Sequence, residues 1–426
     1  MHNWMIRLLL IFFLIPSAGA PACLYGQSKT IDDYARASTV HFTFDSAMSA
    51  TGTGFFDSLF RVNHYVILGE YHGSSQISRL TKQLLPLYAK HGGRLFGLEI
   101  GPMASRILNS GIETAPAGNF LGRLNRTYSL NTSKRKFTPI PFFKSHLDAD
   151  FLQTANDHEL TTVGFDQEYL FSYLLLIDTL IAHIPAQDTQ GTRMARTLRD
   201  TIDSYVQGEV LHINSSGKEG EKLSIRFQES RYVQKSLARL AGINGDIEAI
   251  TASLQRSNTI YYHHATRDWW NSNRLRTENF IDNFRSVFLQ DGKISDERLF
   301  LKIGGLHAAK GMNAYYRYDI GNIIHETARL TGRRSVHIAI IDRYWLETDS
   351  EVIDLLADST SWHAQNFHQL LQAGQPDQWT IIDLDKIRKQ GLYLENVHET
   401  VRKYFERYDL FIIPPADREP ELFTNE

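Results

Sequence analysis

Cysteine is nearly missing from this chain: Cys23 is the only one in 426 residues. No disulfide can form within the chain, and no thiol is left in its body to act as a nucleophile. An excess of charge is missing too, because 45 Lys and Arg stand against 48 Asp and Glu, interspersed, for a formal net charge of -3. That balance offers no basic field, so no nucleic-acid partner is expected. Beyond the first residues no apolar run approaches the roughly 20 residues that a membrane helix needs. Repeats of fixed period, low-complexity segments and a Gly-x-Ser-x-Gly elbow are absent, and the last absence counts against a serine nucleophile. What is present suits a globular protein with a sizeable core: 42% hydrophobic and 22% charged residues.

The first residues follow another pattern. Met1 to Arg7 carries one arginine, Leu8 to Ile15 is apolar, and Ser17-Ala18-Gly19-Ala20 supplies small residues before Pro21-Ala22-Cys23. This reads as an export signal over 1–22, cut after Ala22 or near Gln27-Ser28. The expected location is extracytoplasmic, either periplasmic or as an outer-membrane lipoprotein. Cys23 at the end of the leader suggests membrane attachment through a lipid, although the Leu or Val of a lipobox is lacking.

The body reads as alternating strands and helices. Val66-Ile67-Leu68 is a short apolar run bounded by Gly69 and Gly73, which suits a buried parallel strand. Helical spacing of Ile77, Leu80, Leu84, Leu85 and Leu87 follows, and then a second strand over Arg94 to Ile100. Pro102 opens a helix expected to run through Leu108; Thr114 to Lys144 reads as irregular, and Leu147 to Leu160 as helix. Further strands are expected at Thr161 to Glu168, Arg298 to His307, Ser335 to Ile341, Trp379 to Leu384 and Tyr408 to Ile413. Between Tyr169 and Arg267 only helical periodicity is found, including one helix over Ile225 to Leu240. The fold class is therefore α/β: a mainly parallel sheet with helices on both faces and an α-helical cap insertion. After the signal at 1–22, the expected layout is a first core part at 30–168, the cap at 169–267 and a second core part at 268–426.

Ligands in open α/β sheets bind outside the carboxyl ends of the strands. The strand ends here deliver Glu70, His72, Glu99, Asp166, Glu168 and His307, with Arg274 on the helix before the fourth strand. Two chemistries fit this set. In one, a His or Glu base activates water for attack on an ester or amide carbonyl, and Arg274 or the second histidine stabilises the oxyanion. In the other, mixed His and carboxylate ligands hold a metal that lowers the pKa of a bound water. Arg274 has a simpler partner in Glu278, one helical turn away. Asp166 and Glu168 alternate along an extended segment, so one is expected to face the site and the other solvent.

In order along the chain, Leu68-Gly69-Glu70-Tyr71-His72-Gly73, Gly97-Leu98-Glu99-Ile100-Gly101-Pro102, Gly164-Phe165-Asp166-Gln167-Glu168, Arg274 to Asn279, and Gly304-Gly305-Leu306-His307 resemble the motifs of erythromycin esterase-like proteins. That group is similar in turn to haem-binding uptake proteins and Tiki/TraB-type membrane proteases. The resemblance implies a hydrolase of organic esters or lactones, with His72 as general base, Glu70 and Glu99 as its partners, and His307 as a second polar group facing a small-molecule substrate. Asp166 and Glu168 would then contact substrate. The broader superfamily implies a divalent metal or haem as a cofactor, with Glu70, His72 and His307 as the ligands. Two departures are visible: Glu70-Tyr71-His72 is one residue shorter than the esterase spacing, and Gly305 and Ala308 stand where the esterases tend to carry Asn and a second His.

Overall fold

The computed structural model describes residues 31–348, 351–389 and 397–423. The proposed leader and Cys23 lie outside them. Eight strands form one sheet: β1 (Thr39–Phe42), β2 (Tyr65–Glu70), β3 (Leu95–Leu98), β4 (Thr161–Gly164), β5 (Leu299–Gly304), β6 (Ser335–Ile340), β7 (Trp379–Asp383) and β8 (Leu410–Ile413). Their order is β1-β7-β8-β6-β2-β5-β3-β4. From β8 to β4 every neighbour is parallel. At the edge β7 runs antiparallel to both β8 and β1, so the sheet is mainly parallel, as expected.

The sheet has a core on each face, and strand alternation decides which side chain enters which. Val66, Leu68 and Phe300 join Leu80, Leu84, Phe96 and Phe151 on one face. Tyr65, Ile67, Leu301 and Ile303 join Phe280, Phe284, Ile324 and Phe411 on the other. Every residue of β2 and β5 is buried, as both-face coverage requires. Glu70 continues the Val66, Leu68 face, and Lys302 continues that of Phe300. The sheet register pairs Glu70 with Gly304, so β2 and β5 reach the carboxyl edge together.

The helical insertion has its own core of Leu176, Leu198, Ile202, Phe227, Leu237 and Leu254, among others. Side-chain caps set its helix starts. Asp188 accepts from Gly191 N at 2.8 Å before helix Thr189–Ser216, and Asn244 accepts from Ile247 N at 3.0 Å before helix Gly245–Ala265. The single helix expected over Ile225 to Leu240 is two, Glu221–Glu229 and Arg231–Ala241, because Ser230 caps the second by accepting from Val233 N. The stretch after Thr114 is not all irregular either. Pro116 stands at the N-cap of helix Ala117–Tyr128, whose Leu121 and Leu124 are buried, and helix Pro102–Thr114 runs well past Leu108. No helix among the described residues is long and apolar enough to cross a membrane.

Candidate active site

A cleft of about 950 Å³ lies at the carboxyl ends of the parallel strands, and Glu70, His72, Glu99, Asp166, Arg276 and Lys302 are in its lining. β2 ends at Glu70, and the chain turns at Gly73, whose φ of 85° suits a residue without Cβ. Ser74 then caps helix Ser75–Lys90 by accepting from Ile77 N at 2.8 Å. This turn is held from outside by the fully buried Asp417, which accepts from Tyr71 Oη at 2.6 Å, Ser75 Oγ at 2.9 Å and Gln76 N at 3.1 Å, and also from Ser74 Oγ. His72 therefore projects from a pinned loop.

Carboxylates flank both ring nitrogens of His72. Nδ1 lies 3.2 Å from Glu70 Oε1, and Nε2 lies 3.6 Å from Glu99 Oε2. One face of the imidazole stacks on Phe142 at 4.2 Å, while the side chain stays 39% exposed toward the cleft. Burial would lower the pKa of this imidazole, but the bond to Glu70 and the charge of Glu99 raise it above the ordinary histidine value.

Each carboxylate is matched by a cation. Lys302 Nζ lies 2.5 Å from Glu70 Oε2. Burial pushes the Glu70 carboxyl up, yet Lys302 and His72 together hold it below its usual range. Arg276, from helix Trp269–Phe288, donates to Glu99 at 2.8 Å and to Asp166 at 3.0 and 2.6 Å. Gly304 N adds a bond to Glu99 Oε2 at 2.6 Å. Against burial, which works the other way, His307, His72 and Arg276 hold Glu99 well below the ordinary carboxylate range.

The expected residues separate into those gathered here and those that are not. Glu70, His72, Glu99 and Asp166 meet in the cleft. Arg274 does not: it pairs with Glu278 at 2.7 Å on the exposed helix face, so the site's arginine is Arg276, two residues on. Glu168 neither faces the cleft nor reaches solvent. It is fully buried and accepts from Met103 N at 2.7 Å, Ala104 N at 3.2 Å and Ser253 Oγ at 2.8 Å, at the start of helix Pro102–Thr114. Burial pushes its carboxyl up to about 7. His307 is buried behind Glu99, with Nε2 at 3.7 Å from Glu99 Oε1 and Nδ1 at 2.7 Å from Asp319 Oδ2. It stands against Glu99 and is not part of the cleft lining. Lys302 and Gln167 also line the cleft, beyond the site residues expected from the sequence. Lys302 carried a signal, as a charge within the otherwise apolar run Leu299 to Ile303.

The donor set does not suit a metal held by Glu70, His72 and His307. Glu70 is engaged by an ammonium group at 2.5 Å, and His307 is turned to Asp319 behind Glu99. Among the described residues no group of three or more His, Cys, Asp or Glu side chains is arranged to hold a metal ion. The site as built is a carboxylate–imidazole–carboxylate array between two cations, suited to moving a proton and stabilising negative charge.

No protein-family model and no curated protein matches this chain. Solved structures share its fold. They include a succinoglycan biosynthesis protein (14% identity, 94% of this chain and 100% of the other, TM-score 0.54). A mutant erythromycin esterase in its open conformation is similar at 13% identity over 90% of this chain and 100% of the other, also with TM-score 0.54. A Bacillus cereus protein matches at 12% identity over 92% and 98%, with the same TM-score. The chain thus has an erythromycin-esterase-like α/β fold.

Proposed function

We propose that this protein is an exported hydrolase that cleaves an organic ester or lactone with water activated by His72. The observation that carries the reading is the imidazole open to a cleft, with Nδ1 on Glu70 and Nε2 toward Glu99. The fold shared with an erythromycin esterase supports it. Glu70, held ionised by Lys302, accepts from Nδ1–H and leaves Nε2 as the base. Nε2 takes a proton from water as the water oxygen bonds to the acyl carbon. Arg276 and Lys302 bring positive charge to the lining where the oxyanion develops. The acyl C–O bond then breaks, and the imidazolium returns its proton to the leaving alkoxide, so that ester and water become acid and alcohol. Glu70 and Glu99 favour the protonated ring, so the imidazolium is stabilised as it forms and before it returns the proton. Export, and lipid attachment at Cys23, rest on the leader pattern at 1–22.

The test is acid release by the mature protein, freed of metal with a chelator, on a panel of esters and lactones followed by pH-stat. Turnover that persists in chelator is expected. No acid from any member of the panel, or turnover only after a divalent metal is restored, would overturn the proposal.

A further inference from the structure

We infer that Asp319 is a positioning residue: acting through His307, it offsets part of the Glu99 charge that would otherwise fall on His72. Its value to catalysis rests on the hydrolase reading; the electrostatic coupling does not. Two imidazoles flank one carboxylate. His72 Nε2 lies 3.6 Å from Glu99 Oε2, and His307 Nε2 lies 3.7 Å from Glu99 Oε1, the oxygen that Arg276 also reaches. Asp319 stands at the far end of the second ring, with Oδ2 2.7 Å from His307 Nδ1. Both residues are buried, where charges are weakly screened.

A helix cap alone does not account for Asp319. Its Oδ1 accepts from Ile320 N at 2.8 Å at the start of helix Ile320–Leu330, which leaves Oδ2 to His307 and to Asn313 Nδ2 at 3.0 Å. The Phe280 ring packs 4.9 Å from the imidazole, so the ring is held from its side as well as its end. An ionised carboxylate has no proton to give, so Nδ1 donates to Asp319. A bare Nε2 would then aim a lone pair at ionised Glu99, whereas a protonated Nε2 gives each carboxylate a donor. His307 so held is a cation. Burial pushes the Glu99 carboxyl up, and the charge of His307 is the foremost of those that hold it down. The charged groups about His72 are Glu70, Glu99 and Lys302; about His307 they are Glu99 and Asp319. Against burial, Glu70 and Glu99 both favour protonated His72, so a counter-charge on Glu99 leaves more of Nε2 free to take a proton from water.

The His72 midpoint is followed by NMR titration of carbon-13-labelled histidine with no substrate present, the resonance being identified by its loss in His72→Gln. In Asp319→Asn an uncharged amide faces Nδ1, His307 keeps its proton on Nε2 alone, and Glu99 loses its counter-charge. The midpoint is expected to move up, by about twofold or more in the protonation equilibrium. His307→Gln alone should move it up too. In that background the sign of Asp319→Asn reverses, because the change then removes only a negative charge, and the midpoint moves down. Asp319→Ser, which keeps a helix cap, should repeat both shifts and carries the test where the asparagine variant does not fold. A downward move or none on changing Asp319 beside an intact His307, or no move in His307→Gln, overturns the inference. The acid limb of kcat/KM on the best ester should follow the midpoint. A protein that hydrolyses no ester overturns the hydrolase reading, and the titration still decides the coupling.

Discussion

Replacing Glu99 with Gln tests the electrostatics of the site without using a substrate. The carboxylate oxygen lies 3.6 Å from His72 Nε2. Two unit charges at about 4 Å attract by about 1 kcal/mol in a water-like medium and about 4 kcal/mol at a dielectric of about 20. The His72 side chain is 39% exposed, and Arg276 lies 2.8 Å from the other Glu99 oxygen, so the screened figure applies. That is about 1 kcal/mol, or a factor of about five in the protonation equilibrium. Gln keeps the shape and an oxygen for Gly304 N, while Arg276 keeps Asp166. The sign is fixed: His72 is raised in the fold, so losing a neighbouring negative charge must let it deprotonate at lower pH. By linkage, the raised imidazole stabilises the fold fully below its unfolded pKa, and this is lost as pH rises through the folded value, so the variant gives up acid-side stability. The assay is an NMR titration of carbon-13-labelled histidine, with the His72 resonance assigned by its absence in His72→Gln. A midpoint that stays put or moves to higher pH would refute the reasoning.

Gly304→Ala should lower kcat/KM by on the order of tenfold or more with the fold intact, since the new methyl would stand 3.0 Å from Glu99 Oε2 and 3.1 Å from His72 Nε2; a rate equal to wild type would show that this gap is not used. Arg276→Met should destabilise by about 3–5 kcal/mol in denaturant melts, because two buried carboxylates lose their cation. Arg274→Ala should cost no more than about 0.5 kcal/mol and leave activity unchanged, its bond to Glu278 being an exposed pair one turn away; equal effects at the two arginines would contradict the assignment. Glu168, at about 7, holds its proton in the fold where an unfolded glutamate has lost it, so its contribution to stability falls as pH rises from about 4.5 through 7. Glu168→Gln should flatten that decline in melts between pH 5 and 8, and an unchanged slope would show that the carboxyl is ionised in the fold.

The parallel strands and their acidic ends were legible because both signals are local. Val66-Ile67-Leu68 has the run of a strand covered on both faces, and the glycines beside it mark where that strand stops. Glu70, His72, Glu99 and Asp166 follow from those ends. The antiparallel edge was not legible, since the four residues of β1 pair with β7 more than 300 residues away and their burial is mixed. Arg274 and Arg276 show a second limit. Both lie on one helix, and only the packing of helix Trp269–Phe288 against the sheet decides which guanidinium reaches Glu99. Glu168 shows a third, because its partners Met103 and Ala104 come from another strand–helix junction and turn a carboxylate at a strand end into a buried helix cap. His307 follows the expected strand end, but its partner Asp319 is brought to Nδ1 only in the folded chain.

The most direct measurement is kcat/KM of wild type against His72→Gln on the best ester of the panel, with circular dichroism and Tm recorded on both. If His72 is the base, the variant loses on the order of a thousandfold in rate while spectrum and Tm stay near those of wild type. A His72→Gln protein that folds and hydrolyses the ester at the wild-type rate would contradict the mechanism at its centre.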